Sequence, residues 1–154
     1  MKENDEWYTP QYIIDSLGEF DLDPASSCEA FHLNKSAKKI YTIKENGLEQ
    51  HWEGRVRLNP PYSNPLIRKF LTKMAEYNNG IALVFAKVEA EWFHDIVLAH
   101  ATAVKFLYDR VKFHKPDGSV GTQPRNGSML LAYGKKNAEI LLHNPLKGKF
   151  LFIN

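Results

Sequence analysis

Pro60 and Pro61 stand directly behind the alternating run Arg55-Val56-Arg57-Leu58-Asn59. Proline lacks a backbone N–H and locks φ, so a strand with apolar residues at Val56 and Leu58 must stop there. Asn59 and Tyr62 are thereby held at a stiff strand end, and open α/β sheets bind ligands outside the carboxyl ends of their strands. A side-chain amide, fixed carbonyls and an aromatic face suit a planar group that carries an amine, such as a nucleobase. A proline-rich turn with a structural tyrosine is the simpler reading of these residues taken alone. The rest of the chain has to decide between the two.

With 154 residues and no repeats, low-complexity tracts or linker-like stretches, a single domain over 1–154 is expected, without a separate target-recognition domain. Apolar residues at 44% and charged residues at 25% are the proportions of a soluble globular protein, which sets aside disordered and membrane classes. No apolar run is long enough to span a bilayer, and Met1-Lys2-Glu3-Asn4-Asp5 is polar and unlike a signal peptide. A cytoplasmic location and no membrane partner are the expectation. The single cysteine, Cys28, excludes an internal disulfide and a cysteine-based metal cluster. Six histidines show no paired ligand spacing, so no metal is expected. A net charge of +2 is too mild to announce a nucleic-acid binder by itself. Oligomeric state has no signature in the sequence.

Thr9-Pro10 predicts a helix start, with Thr9 as N-cap and Pro10 at the first helical position. Tyr12, Ile13, Ile14 and Leu17 give its stripe, and Gly18 ends it. Phe20-Asp21-Leu22-Asp23 predicts a short strand stopped by Pro24, so Asp23 also lies at a strand's carboxyl end. The small residues Ala25, Ser26 and Ser27 would let a ligand approach the backbone. Taken alone, Asp23 reads equally well as a turn carboxylate or a helix cap. Residues 26–37 are expected to be a helix, or a helix and a loop, with Phe31 and Leu33 packing. Lys39-Ile40-Tyr41-Thr42 reads as the second strand and Glu45-Asn46-Gly47-Leu48 as a turn.

Asn64-Pro65 repeats the cap-plus-proline start for an amphipathic helix through Leu66, Ile67, Phe70, Leu71 and Met74, ended by Asn79-Gly80. Ile81-Ala82-Leu83-Val84-Phe85 is continuously apolar, the mark of a strand covered on both faces. A helix over 89–99 should bury Trp92, Phe93, Ile96 and Val97, and Val104 to Tyr108 reads as another strand. Val111 to Phe113 and Met129 to Tyr133 are expected to form a hairpin with a long polar loop. The tail from Asn137 should add a helix and a last strand through Phe150, Leu151 and Phe152. This order argues an α/β three-layer sandwich, its sheet mostly parallel with a C-terminal antiparallel hairpin. The ligand crevice should lie where the strands bearing Asp23 and Asn59 end.

Five pieces carry a resemblance: Asp5-Glu6-Trp7-Tyr8-Thr9-Pro10; Phe20-Asp21-Leu22-Asp23-Pro24-Ala25-Ser26; Asn46-Gly47-Leu48 with Trp52; Asn59-Pro60-Pro61-Tyr62-Ser63; and Arg110-Val111-Lys112-Phe113 before a Ser128-bearing strand. In this order they resemble the phage-type DNA N6-adenine methyltransferase family, which uses S-adenosylmethionine. The resemblance implies a Rossmann-like methyltransferase sheet whose last two strands form the hairpin. It implies Thr9 and Pro10 at the methionine end of the cofactor, Asp23 receiving its ammonium, and Pro24, Ala25 and Ser26 in place of a Gly-rich turn. Asn46 and Leu48 would lie by the cofactor's adenine, Asn59 would border it, and Trp7 belongs either to the core or over this pocket. Two departures stand out. No Gly-x-Gly follows the first strand, and no acidic residue directly follows the second to grip the ribose, Glu45 being a loose candidate.

The resemblance also implies a mechanism. An adenine amine is a weak nucleophile because its lone pair is delocalised into the ring. Acceptors at Asn59 and Pro60, with Pro61 stiffening the turn, would favour a pyramidal nitrogen and gain strength as positive charge develops on it. Tyr62 would stack on a base drawn from the duplex, with Ser63 beside it. Arg110, Lys112 and Arg125, near Lys115, are candidates for phosphate contacts. Arg68, Lys69 and Lys73 on the helix after Ser63 are others, though any one of these cations reads equally well as part of a solvated face. DNA is the expected partner. Methylation of RNA or a protein amide and a non-catalytic nucleic-acid-binding role are the rival readings.

Overall fold

The computed structural model describes residues 8–27, 35–115, 117, 119 and 126–154. The elements, in chain order, are α1 (Gln11–Ser16), β1 (Leu22–Asp23), β2 (Lys39–Ile40), β3 (Val56–Leu58), α2 (Leu66–Tyr77) and β4 (Gly80–Phe85). A π-helical turn, Phe93–Val97, then continues as α3 (Leu98–His100), followed by β5 (Ala103–Leu107), β6 (Ser128–Tyr133), α4 (Lys135–Leu142) and β7 (Gly148–Phe152). The strands form one mixed sheet of order β2-β1-β3-β4-β6-β5-β7. Its first four are mutually parallel, whereas β6 runs antiparallel to both β4 and β5, and β7 antiparallel to β5.

Alternation along the strands divides the apolar residues between the sheet's two faces. On one, Leu22, Val56, Leu58, Ala82, Val84 and Leu131 pack with Ile67, Phe70, Leu71 and Met74 of α2 and with Trp92, Phe93, Ile96 and Val97. On the other, Ile81, Leu83, Phe85, Leu130 and Ala132 pack with Ile13 of α1, Leu17 just beyond it, and Ala138 and Leu141 of α4. Every residue of β4 is buried, as its unbroken apolar run requires. Gly80 is needed at the start of β4, because a Cβ there would fall 2.2 Å from the Val56 carbonyl oxygen. Among the described residues no helix is long and apolar enough to cross a membrane.

Several expectations need correction. The hairpin pairs β5 with β6, so Val111 to Phe113 is not a strand: Val111 and Phe113 fill the second core, and His114 makes an isolated antiparallel bridge to Tyr8. Their V-K-F alternation reflects burial against α1's core rather than a ladder. The helix α2 is ended by Asn78, which adopts φ 59° and bonds back to the Met74 carbonyl, while Gly80 already belongs to β4. Neither Thr9 nor Asn64 caps its helix through the side chain; the Pro10 and Ser63 carbonyls accept the first N–H groups instead. Phe31 and Leu33, with the helix expected around them, lie outside the described residues, and residues 35–37 are irregular.

Candidate active site

From β1 the chain moves outward to β2 and then returns to the opposite side of β1 as β3. The strand order thus reverses between β1 and β3, and the crevice at such a reversal, beyond the carboxyl ends, is where open parallel sheets bind ligands. Asp23 ends one of these strands and Asn59 follows the other.

The parallel register Leu22↔Val56 sets Asp23 and Arg57 side by side on the face that α1 covers. Both are buried, Asp23 to 1% exposure and Arg57 to 8%. Arg57 Nη1 donates to Asp23 Oδ2 at 3.1 Å, Ser36 Oγ donates to the same oxygen at 2.7 Å, and the Ala25 N–H reaches Oδ1 at 3.2 Å. The second arm of the guanidinium, Nη2, donates to Thr9 Oγ1. That hydroxyl also accepts from Asn59 Nδ2 at 3.5 Å. Released from capping, Thr9 therefore joins the two strand ends. Arg57, which was not a candidate from sequence, is the centre of a buried polar network. Alternation about Val56 and Leu58 showed its face but not that the face is covered.

On the α2 side of the same edge lies a cavity of about 170 Å³ lined by Pro24, Ala25, Ser26, Thr42, Ile43, Asn46, Gly47, Pro61, Leu66 and Phe70. The loop after β1 is tied down by the Ser26 N–H to the Tyr41 carbonyl at 2.9 Å. The floor requires glycine at 47, because a Cβ there would lie 1.9 Å from the Pro24 carbonyl oxygen. Asn46 takes φ 57° and its Oδ1 accepts the Leu48 N–H at 3.2 Å, which shapes the turn. Glu45 Oε1 accepts from the Thr42 N–H and hydroxyl at 2.8 and 3.0 Å, and these bonds hold its carboxyl below the usual range. It closes its own turn.

Tyr62 lies against the end of β4. Its ring stacks on Phe85 with centroids 4.7 Å apart at 22°, and its hydroxyl oxygen accepts the Phe85 N–H at 2.7 Å. Phe85 in turn meets Phe113 edge-on at 5.7 Å. The Asn59 amide and the stacked Tyr62 ring thus share one proline-stiffened turn, with the cavity on one side of the edge and the buried ion pair on the other.

The sequence matches the DNA N-6-adenine-methyltransferase (Dam) family over residues 1–147. The chain belongs to that family. It is also 26% identical, over 99% of its own length and 89% of the relative's, to the DNA N-6-adenine-methyltransferase of Haemophilus phage HP1. No solved structure matches it. The protein is thus an enzyme, a DNA adenine-N6 methyltransferase.

The remaining candidates of this methyltransferase divide by surroundings. Arg110, Lys112 and Lys115 are exposed on the segment that leaves β5 at the edge where Phe85 ends β4. Arg125 and Trp7 lie outside the described residues. Lys73 is occupied elsewhere: its ammonium donates to the Leu48 carbonyl at 2.9 Å and also to those of Gly47 and Gln50, and it lies 5.0 Å from the Trp52 ring. Arg68 pairs with Asp95 at 3.5 Å. These two cations hold loops and helices together. Ile43, Leu66 and Phe70 line the cavity but were not singled out from sequence. Ser128 Oγ, across the ladder from Phe85, is buried with no hydrogen-bond partner among the described residues. Also among the described residues, no three His, Cys, Asp or Glu side chains gather as metal ligands would.

Proposed function

We propose that this DNA adenine methyltransferase takes its methyl group from S-adenosylmethionine held across the ends of β1, β2 and β3, and acts on an adenine swung out of the duplex onto Asn59 to Tyr62. The fold reading that goes with this is a single Rossmann-like methyltransferase domain working in the bacterial cytoplasm, where its DNA lies. The observation that carries the proposal is the pairing of two proline-terminated strands at the reversal of strand order, with a cavity on one side and a buried ion pair on the other.

The residues present fit the cofactor's two ends. Ile43, Pro61, Leu66 and Phe70 offer apolar walls for a purine, with Asn46 and Ser26 as polar contacts and Leu48 on the adjoining loop. Asp23, Thr9 and Pro10 would meet the amino-acid end. A carboxylate has about four lone-pair sites, so Asp23 can add an ammonium to the three donors it already holds. When bound, S-adenosylmethionine supplies a methyl group already activated on a sulfonium.

The chain's own work is on the acceptor. Asn59 Nδ2 turned to Thr9 puts Oδ1 at the other end of the amide, where it and the Pro60 carbonyl can accept the two N–H bonds of adenine's amine. These acceptors favour a nitrogen with an available lone pair and strengthen as positive charge grows on it. Pro61 fixes the turn that carries them. Tyr62, braced by Phe85, would stack on the extruded base and return about 1–3 kcal/mol of the unstacking cost, with Ser63 beside it. Arg110, Lys112 and Arg125 would meet phosphates.

Unmethylated DNA, RNA and a mixed protein substrate are incubated separately with enzyme and S-adenosylmethionine, and the products are read by mass spectrometry. N6-methyladenine in DNA alone is the expected result. Label in RNA or protein with none in DNA would overturn the proposal.

A further inference from the structure

Arg57 has no role in the account so far, yet its position is costly. Burying a guanidinium and a carboxylate takes both out of water, and a well-packed apolar pair of similar volume commonly does as well or better for stability. Here the pair interrupts the sheet face whose neighbouring β4 positions are the apolar Ile81 and Leu83. It lies at the level where β1 and β3 hand over to the site. The fork of the guanidinium is split between two tasks: Nη1 binds Asp23, and Nη2 binds Thr9, whose hydroxyl accepts from the Asn59 amide. A continuous line of polar contacts thus joins the carboxylate at the end of β1 to the amide at the end of β3, and Arg57 is its cation.

We propose that Arg57 is a positioning residue: it holds the Thr9 hydroxyl so that Thr9 fixes the Asn59 amide with its oxygen toward the acceptor amine. This rests on the assignment of Asn59 made above. An amide in the flipped orientation would present N–H groups to the amine in place of its oxygen, and donors there oppose the reaction. The planar fork is what allows one side chain to serve both strand ends, and lysine, with a point charge, reproduces only one arm.

Arg57→Lys keeps the charge beside Asp23 and loses the reach to Thr9. At saturating S-adenosylmethionine it should lower kcat by about 10- to 100-fold, the scale expected when a reacting group is displaced slightly. Cofactor affinity by calorimetry should stay near wild type, and the kcat loss should persist when the variant is assayed well below its melting temperature. Thr9→Val should show the same kcat loss, Thr9→Ser should restore activity, and Arg57→Lys with Thr9→Val should be no worse than either alone. A lower melting temperature with unchanged kcat in Arg57→Lys would make the pair structural and overturn the inference, as would additive losses in the double variant. The Thr9 series keeps the test open if the lysine variant does not fold. Wild-type enzyme that methylates DNA while Asn59→Ala does so equally well would instead overturn the assignment of Asn59.

Discussion

The two proline-stopped strand ends are built to different standards. At the end of β1, Asp23 is 1% exposed and its oxygens accept from Ala25, Ser36 and Arg57. At the end of β3, Asn59 and Tyr62 are only half-buried, and their contacts include a long bond to Thr9 and a brace against Phe85. The first end is held in place before any ligand arrives. The second is open enough for a base attached to a polymer. A small cofactor can enter a closed, pre-organised cradle, whereas an acceptor carried by DNA needs an approach. In the proposed reading, this difference gives the first strand end to the cofactor and the second to the acceptor.

The sharpest way to break this contrast is to exchange the expected outcomes. Asn59→Ala should lose methylation to background while keeping its fold and its binding of S-adenosylmethionine; a variant with full activity would remove the chemistry from β3. Asp23→Ala should instead destabilise the protein by about 3–5 kcal/mol in urea titrations, because it strands a buried guanidinium. Unchanged stability there would mean the ion pair is dispensable, and cofactor affinity would then become its only readout. Tyr62→Phe keeps the stack but leaves the Phe85 N–H without its acceptor. A loss of about 1–3 kcal/mol is expected, with catalysis on the folded enzyme largely retained, and Tyr62→Ala should lose substrate use as well. Equal loss of activity in both variants would argue against stacking. Ser128→Ala should change stability by no more than about 0.5 kcal/mol, since the hydroxyl it removes is unsatisfied among the described residues. A fall in activity without a fall in melting temperature would place that hydroxyl on the bound base.

Much of this architecture was legible in the residues. Prolines 24 and 60 marked both strand ends, the apolar run 81–85 marked the central strand, and the Leu66-to-Met74 stripe marked the helix over the cavity. What was not legible was pairing. Nothing local says that Asp23 and Arg57 are neighbours, since that depends on a register between strands more than thirty residues apart. Thr9-Pro10 has every local mark of a cap, yet the hydroxyl goes to Arg57 and Asn59 because that partner is buried and charged. Val111 and Phe113 alternate as a strand would, but both edges of β6, the partner they would need, are taken by β4 and β5. Gly47 passed for a turn glycine until the Pro24 carbonyl was seen beneath it. Local patterns report burial and breaks; long-range polar partners come only with the fold.

The sheet order has a consequence for how the chain assembles. Each of β1 to β4 has all its neighbours within the first 85 residues except where β4 meets β6, but both partners of β5 lie later in sequence than β5 itself. As the chain emerges N-terminus first, β5 is synthesised with no strand to join until residues 128–133 arrive, and the intervening loop must close for them to slot between β4 and β5. Asp23, Arg57, Asn59 and the Phe85 N–H that braces Tyr62 all belong to the part that can pair early. The edge that carries Asp23 and Asn59 can therefore form first. Chains truncated before residue 128 should leave β5 without either of its partners, as an unpaired, aggregation-prone strand.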